Sequence, residues 1–311
     1  MDYKVKGLHH VTAIAGNAQR NFDFYTKILG LRLVKKTVNF DDPGTYHFYF
    51  GNEKGEPGTL LTFFPWDGIT TGRRGTGQAT ETAFSVPEGS FDFWMERFEN
   101  ENVIYNKPSK RFDEEYLVFI DPDGLKLELV SVAGDNRSPY TTEEIDHTKS
   151  IRGLHAVTLT LEGYEKTASI LTELFDYEQT HEQVNRFRFE SRNVKDAGII
   201  DLVCLPEERR GMVAGGSVHH IAFRVENTAV QQHFRDKLVE RGLNVTPEVN
   251  RDYFKSIYFR EPGGILFEIA TDDPGFTVDE PLEKLGTSLK LPQMYEVKRK
   301  DIEAILPRIE E

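Results

Sequence analysis

Apolar positions along this chain follow two rhythms that alternate. Runs such as LHHVTAIAG (8–16) and GLHAVTLTL (153–161) read as strands. The stretch NAQRNFDFYTKILG (17–30) places Phe22, Phe24, Tyr25, Ile28 and Leu29 along one side of a helix, and Gly30 supplies the stop. Three strands follow, near 31–39, 45–51 and 59–65. The order then recurs three times. A strand at 81–86 and a helix at 90–101 lead into extended runs at 103–105, 115–120 and 125–132. A strand at 153–161 and a helix at 164–175 precede strands near 177–183, 186–190 and 198–204. A strand at 218–225 and a helix at 227–241 precede strands near 243–246, 253–260 and 265–270.

The repetition extends to the residues themselves. GLHHVTAIAG (7–16) returns as GLHAVTLTL at 153, and FIDPDGLKLELV (119–130) returns as FREPGGILFEIA (259–270). Four βαβββ units therefore tile the chain, which predicts an α+β protein of curved mixed sheets with outer helices rather than a doubly wound parallel sheet. Linkers fall at 70–78, 133–146 and 206–217. The division expected is an N-terminal half (1–140), a C-terminal half (150–275), each of two modules, and a tail (276–311). In the tail, a helix at 295–306 offers Val297, Ile302 and Ile305 for packing.

Charge narrows the partners. With 38 Lys and Arg against 51 Asp and Glu, the net charge of −13 disfavours nucleic acid and anionic membrane surfaces, which require a basic footprint. No run reaches the roughly 18 apolar residues of a membrane span. One cysteine, Cys204, cannot form an intramolecular disulfide, which fits a reducing, cytoplasmic setting. The expected ligand is a small molecule or another protein, and the chain is compatible with a homo-oligomer.

Five of nine histidines sit in the first strands of units: His9, His10, His155, His219 and His220. Adjacent strand residues face opposite sides of a sheet, so each HH pair is expected to send one ring inward and one outward. Two registers result, one holding His9, His155 and His219, the other His10 and His220, with Ala156 breaking the second. Glu268, in the apolar run ILFEIA, is expensive to bury unless paired, protonated or on a metal. Two histidines and that carboxylate form a set that suits Fe(II), Mn(II) or zinc and leaves positions open. The second unit offers Glu81 and Glu128 with no matching histidine pair.

GLHHVTAIAG, SVHHIAFRV, NRDYFKSIYFREPGGILFE and the four units resemble the vicinal-oxygen-chelate (glyoxalase/extradiol dioxygenase) superfamily, and within it the ring-cleaving dioxygenases of hydroquinones. The likeness runs nearly end to end. It implies paired modules forming cupped sheets, and a ferrous ion, with Mn(II) the alternative, on His10, His220 and Glu268. In catechol enzymes of this kind the first ligand comes from the third unit, which keeps His155 as the competing ligand. The resemblance also implies His9, Thr12, His219, Arg251 and Tyr258 around an aromatic substrate that reacts with O2. Two other activities are compatible with such a chain: a metal-dependent isomerase or thiol transferase on the same fold, and a non-catalytic binder of aromatic compounds.

Overall fold

The computed structural model describes residues 3–310. The first module comprises β1 (Leu8–Ala15), helix α1 (Ala18–Asp23) continuing into a π-helical turn (Phe24–Ile28), β2 (Arg32–Val38), β3 (Tyr46–Gly51) and β4 (Leu60–Pro65). The second has β5 (Gln78–Val86), α2 (Phe91–Asn100), β6 (Ile104–Tyr105), β7 (Ser109–Arg111), β8 (Glu114–Ile120) and β9 (Lys126–Ser131). In the third, β10 (Gly153–Leu161) and α3 (Glu165–Glu173) lead to β11 (Tyr177–Gln183), β12 (Arg186–Ser191) and β13 (Ile199–Cys204). The fourth runs β14 (Ser217–Val225), α4 (Thr228–Glu240), β15 (Val249–Asn250), β16 (Lys255–Arg260) and β17 (Leu266–Thr271).

These strands form two curled mixed sheets. One has the order β15-β16-β17-β14-β1-β4-β3-β2, so it joins the fourth module to the first. The other, β11-β12-β13-β10-β5-β9-β8-β6 with β7 beside β8, joins the third to the second. In each module the first strand pairs parallel with the last, and the two modules meet through antiparallel first strands, β1 with β14 and β5 with β10. Each sheet is therefore pseudo-twofold about its central seam.

Helices cover the outer faces through apolar stripes: Trp94 and Phe98 of α2, Ile170 and Leu171 of α3, Val230, Phe234 and Leu238 of α4 are all buried. Gly30 ends the first helical segment at φ +66°, and a Cβ there would lie 2.7 Å from Ile145 Cδ1. No helix among the described residues is long and apolar enough to cross a membrane.

Three expectations are corrected. The strand expected at 243–246 is displaced to Val249–Asn250, leaving a single bridge between Val245 and Phe259. Pro247, which has no N–H for a ladder, interrupts it. The strand at Ser109–Arg111 had no counterpart in the pattern. The tail is a 3-10 segment (Gln293–Lys298) followed by α5 (Arg299–Ile305). That change of period turns the expected stripe aside: Ile302 is buried, whereas Val297 and Ile305 are exposed.

The tail nevertheless braces the first sheet. Fully buried Lys35 on β2 pairs with Asp279 (2.6 Å) and Glu280 (2.5 Å). The Tyr295 hydroxyl donates to the Phe40 carbonyl (2.6 Å), fixing the loop between β2 and β3 that rims the cavity described next.

Candidate metal and substrate site

The seam between β1 and β14 carries two matched irregularities. Leu8 opposes Phe223 and His10 opposes Ala222, so His9 is an extra residue on β1. Thr12 opposes His220 and Ala13 opposes Val218, so His219 is an extra residue on β14. A β-bulge re-aims the side chains around it. The inward-outward split expected for each HH pair is thereby overturned: His9 Nδ1 lies 2.9 Å from His10 Nδ1, and His219 Nδ1 lies 2.8 Å from His220 Nδ1.

The rings so turned bring His10 Nε2 and His220 Nε2 to 3.3 Å from each other. Glu268 Oε2 lies 3.3 Å from the first and 2.9 Å from the second. All three side chains are buried, with donor atoms within 4.8 Å of one another. The short distances to Glu268 Oε2 do not make it satisfied: no ring N–H is aligned on it, and it is a buried oxygen without a hydrogen-bond partner. Its companion Oε1 accepts from the Ser256 hydroxyl. Burial alone would push the Glu268 carboxyl up, but His10 and then His220 outweigh burial and hold it well below the usual range. Burial pushes His220 down. An orphaned carboxylate oxygen facing two imidazole nitrogens is a donor set that fits a divalent metal.

Around this triad is a cavity of about 410 Å³, lined by His47, Tyr49, Phe64, Trp66, His219, Arg251, Phe254 and Tyr258 and rimmed by Asn39 and Phe40 to Asp42. Arg251 Nε–H donates to the Tyr258 oxygen (3.1 Å), and its guanidinium packs over the Phe40 ring, 5.2 Å from the centroid. It has no ion-pair partner among the described residues. Burial, then the charge of Glu268, raises the Tyr258 hydroxyl above its ordinary value, so it stays protonated. Burial and then His220 push His219 down to about 3, so it is neutral.

His219, Arg251 and Tyr258 thus line the cavity, as do His10, His220 and Glu268, while His9 and Thr12 do not. His9 lies behind His10, and the Thr12 hydroxyl bonds that of Thr62 (2.8 Å). The competing ligand His155 sits on the other sheet, 2.7 Å from Glu114, as the extra residue of an equivalent bulge on β10. Sequence reasoning missed His47 and Tyr49. Tyr49 OH bonds His47 Nδ1 (2.9 Å), whose Nε2 bonds Thr62 Oγ1 (3.0 Å). Their signal was the alternation in YHFYFG (46–51), which places both on one face of β3.

The second sheet has the same scaffold, and among the described residues it brings together no such set of ligands. Glu81 and Ala156 hold the seam positions of His220 and His10, and Glu128 that of Glu268. Arg111 grips Glu128 through both terminal nitrogens (3.1 and 2.7 Å). Arg186 and Lys126 pair with Glu81, and Arg188 pairs with Asp201. Guanidinium and ammonium groups supply the positive charge there.

Two curled sheets of paired βαβββ modules carry, at one seam, a His/His/Glu set that could hold a metal ion. A model of the Glyoxalase/Bleomycin resistance protein/Dioxygenase superfamily matches residues 7–129 and 143–269, and the chain belongs to that superfamily. It is 46% identical over 309 residues to the "Putative ring-cleaving dioxygenase MhqO" of Bacillus subtilis (strain 168), covering 99% of this chain and 98% of the relative. It is 38% identical to the chlorohydroquinone/hydroquinone 1,2-dioxygenase of Sphingobium indicum, covering 95% of this chain and 94% of that enzyme. The crystal structure of a "putative dioxygenase" from Bacillus subtilis subsp. subtilis str. 168 superposes with a TM-score of 0.96 at 45% identity, covering 99% of both chains.

Proposed function

We propose that this chain is a ring-cleaving dioxygenase that takes a hydroquinone or related dihydroxy-aromatic ring and O2, with Fe(II) held by His10, His220 and Glu268. The observation that carries the proposal is the orphaned Glu268 oxygen facing two imidazole nitrogens on the wall of an aromatic-lined cavity. End-to-end similarity to dioxygenases supports it. Bound ferrous iron would supply the one-electron chemistry that a closed-shell ring and O2 cannot begin alone.

The chain's own residues perform the rest. A metal at the two Nε2 atoms requires protons on both Nδ1 atoms, which then donate to His9 and His219; these outer rings fix the tautomers and orientations. Each outer ring therefore carries its own proton at Nε2. Because the Tyr258 oxygen accepts from Arg251, its hydroxyl proton is free to donate to a substrate oxygen, and the unpaired Arg251 charge favours the phenolate form of the substrate. Neutral His219, on the cavity wall, keeps its Nε2 proton and can donate it as a hydrogen bond to a substrate oxygen. Phe64, Trp66 and Phe254 supply apolar faces for the ring. The chain division 1–140, 150–275 and 276–311 and a cytoplasmic setting are part of the same proposal.

The test is oxygen-electrode measurement on anaerobically Fe(II)-loaded protein with plain, methylated and chlorinated hydroquinones. Uptake of one O2 per ring opened is expected. No uptake with these or with catechols overturns the proposal.

A further inference from the structure

The pseudo-twofold of the first sheet relates every strand of the fourth module to one of the first. In the parallel pair β14–β17, Ala222 opposes Glu268, and in β1–β4, Thr12 opposes Thr62. Across the next pair, Tyr258 opposes Glu268 and Tyr49 opposes Thr62. LFEIAT (266–271) thus matches LLTFFP (60–65), and KSIYFR (255–260) matches YHFYFG (46–51). Thr62 is the first module's counterpart of Glu268, Tyr49 of Tyr258, and His47 of Ser256.

The same strand position in the second sheet carries Glu128 and Asp201, opposite Ala83 and Thr158. Three modules therefore place a carboxylate there, and the first places a hydroxyl. Where both carboxylates are present, arginines neutralise them: Arg111 on Glu128 and Arg188 on Asp201. Across the His10–His220 seam there is one carboxylate and no such arginine.

Thr62 is also satisfied where Glu268 is not. Its Oγ1 bonds Thr12 Oγ1 (2.8 Å) and His47 Nε2 (3.0 Å), leaving no orphaned group. Two carboxylates would cancel a divalent charge. One leaves a net positive charge and one fewer protein donor, the condition in which a deprotonated ring hydroxyl is the complementary ligand.

We propose that Thr62 determines the specificity of the site: by standing where the other modules have a carboxylate, it leaves a donor position and one unit of positive charge for the hydroxylate of the ring substrate. Thr62 acts by what it withholds, and the row Thr12–Thr62–His47–Tyr49 keeps its hydroxyl turned into the protein's own bonds. This rests on the metal reading given above.

Three variants test it: Thr62→Glu, the double variant His47→Ser with Thr62→Glu, which rebuilds the Ser–Glu pair of the fourth module, and Thr62→Val. Metal affinity is read with Mn(II) and Zn(II) against a chromophoric chelator, and ligand binding by anaerobic titration of the Mn(II)-loaded protein with a nitrophenol. The glutamate variants are expected to hold metal about tenfold more tightly or better, because affinity rises with the number of charged ligands. They should bind the nitrophenol at least about tenfold more weakly. Thr62→Val is expected to keep metal affinity within about threefold of wild type, since it removes bonds without adding a ligand. Folded glutamate variants with unchanged metal affinity overturn the proposal. So does a Thr62→Val protein that loses metal tenfold or more, an outcome that needs no glutamate variant to fold. Wild-type protein that retains no metal would instead overturn the metal reading.

Discussion

His10 Nε2 and His220 Nε2 stand 3.3 Å apart although 210 residues of chain separate them. They meet because the first and fourth modules share a sheet and because bulges at His9 and His219 turn the rings on either side of the seam. If the two nitrogens and Glu268 hold the metal, His220→Ala and Glu268→Ala should each lower affinity by more than about a hundredfold, beyond the range of an outer partner. His155→Ala should leave it unchanged, since that ring is engaged by Glu114 on the other sheet. Elemental analysis after gel filtration, paired with chelator competition, separates the outcomes. Metal lost with His155→Ala would restore the competing assignment.

The His9 and His219 rings meet those of His10 and His220 at their Nδ1 atoms, so removing the outer rings should act on the orientation of His10 and His220. His9→Ala and His219→Ala are each expected to weaken metal binding by about 10–100-fold. His9 does not line the cavity and His219 does, so only the second should also change the KM for the ring substrate. Equal effects on KM would contradict the distinction. Replacement by Gln, which keeps a hydrogen-bonding end, should restore part of the metal affinity.

The repeat legible in GLHHVTAIAG and GLHAVTLTL carries the four modules, and Glu268 stands out because a carboxylate in an apolar strand demands a partner. What the pattern hides is the seam. A bulge is a property of two strands in register, so no single strand announces that His9 and His219 are extra residues or that their rings turn toward their neighbours. His47 and Tyr49 escape for a related reason. Their strand reads as apolar core, and only its curl brings them onto the wall beside the triad. Val297 and Ile305 mislead in the opposite sense, since a helical stripe predicts burial only while the period stays helical.

Arg111 makes a further expectation testable on the second sheet. Glu128 is 1% exposed, and Arg111 grips it with two hydrogen bonds. Arg111→Ala leaves a buried carboxylate uncompensated and should cost about 3–5 kcal/mol of stability. Since the substitution does not reach the first sheet, metal content per folded chain should stay at the wild-type value. Urea unfolding and elemental analysis on the same preparation check both; a stable variant, or one with altered metal content, contradicts the separation of the two sheets.

Glu114 provides a pH test remote from the triad. Burial pushes its carboxyl up, but His155 and Arg188 outweigh burial and hold it at about 2, against an ordinary value of 4.5. A carboxylate depressed in the folded state contributes stability that is present above pH 4.5 and is lost as pH falls toward 2, because there the unfolded chain takes up a proton the folded chain refuses. Between pH 4.5 and 3.0 the loss from Glu114 is about 1.5 kcal/mol. Asp121, which burial raises to about 6, works in the other direction, since its folded form takes up the proton first. That contribution is common to wild type and Glu114→Gln, so the difference between them isolates Glu114. Unfolding free energies of the two proteins from urea titration, measured metal-free, should converge by that amount over this interval. Parallel curves would show that His155 and Arg188 do not hold Glu114 ionised in the folded protein.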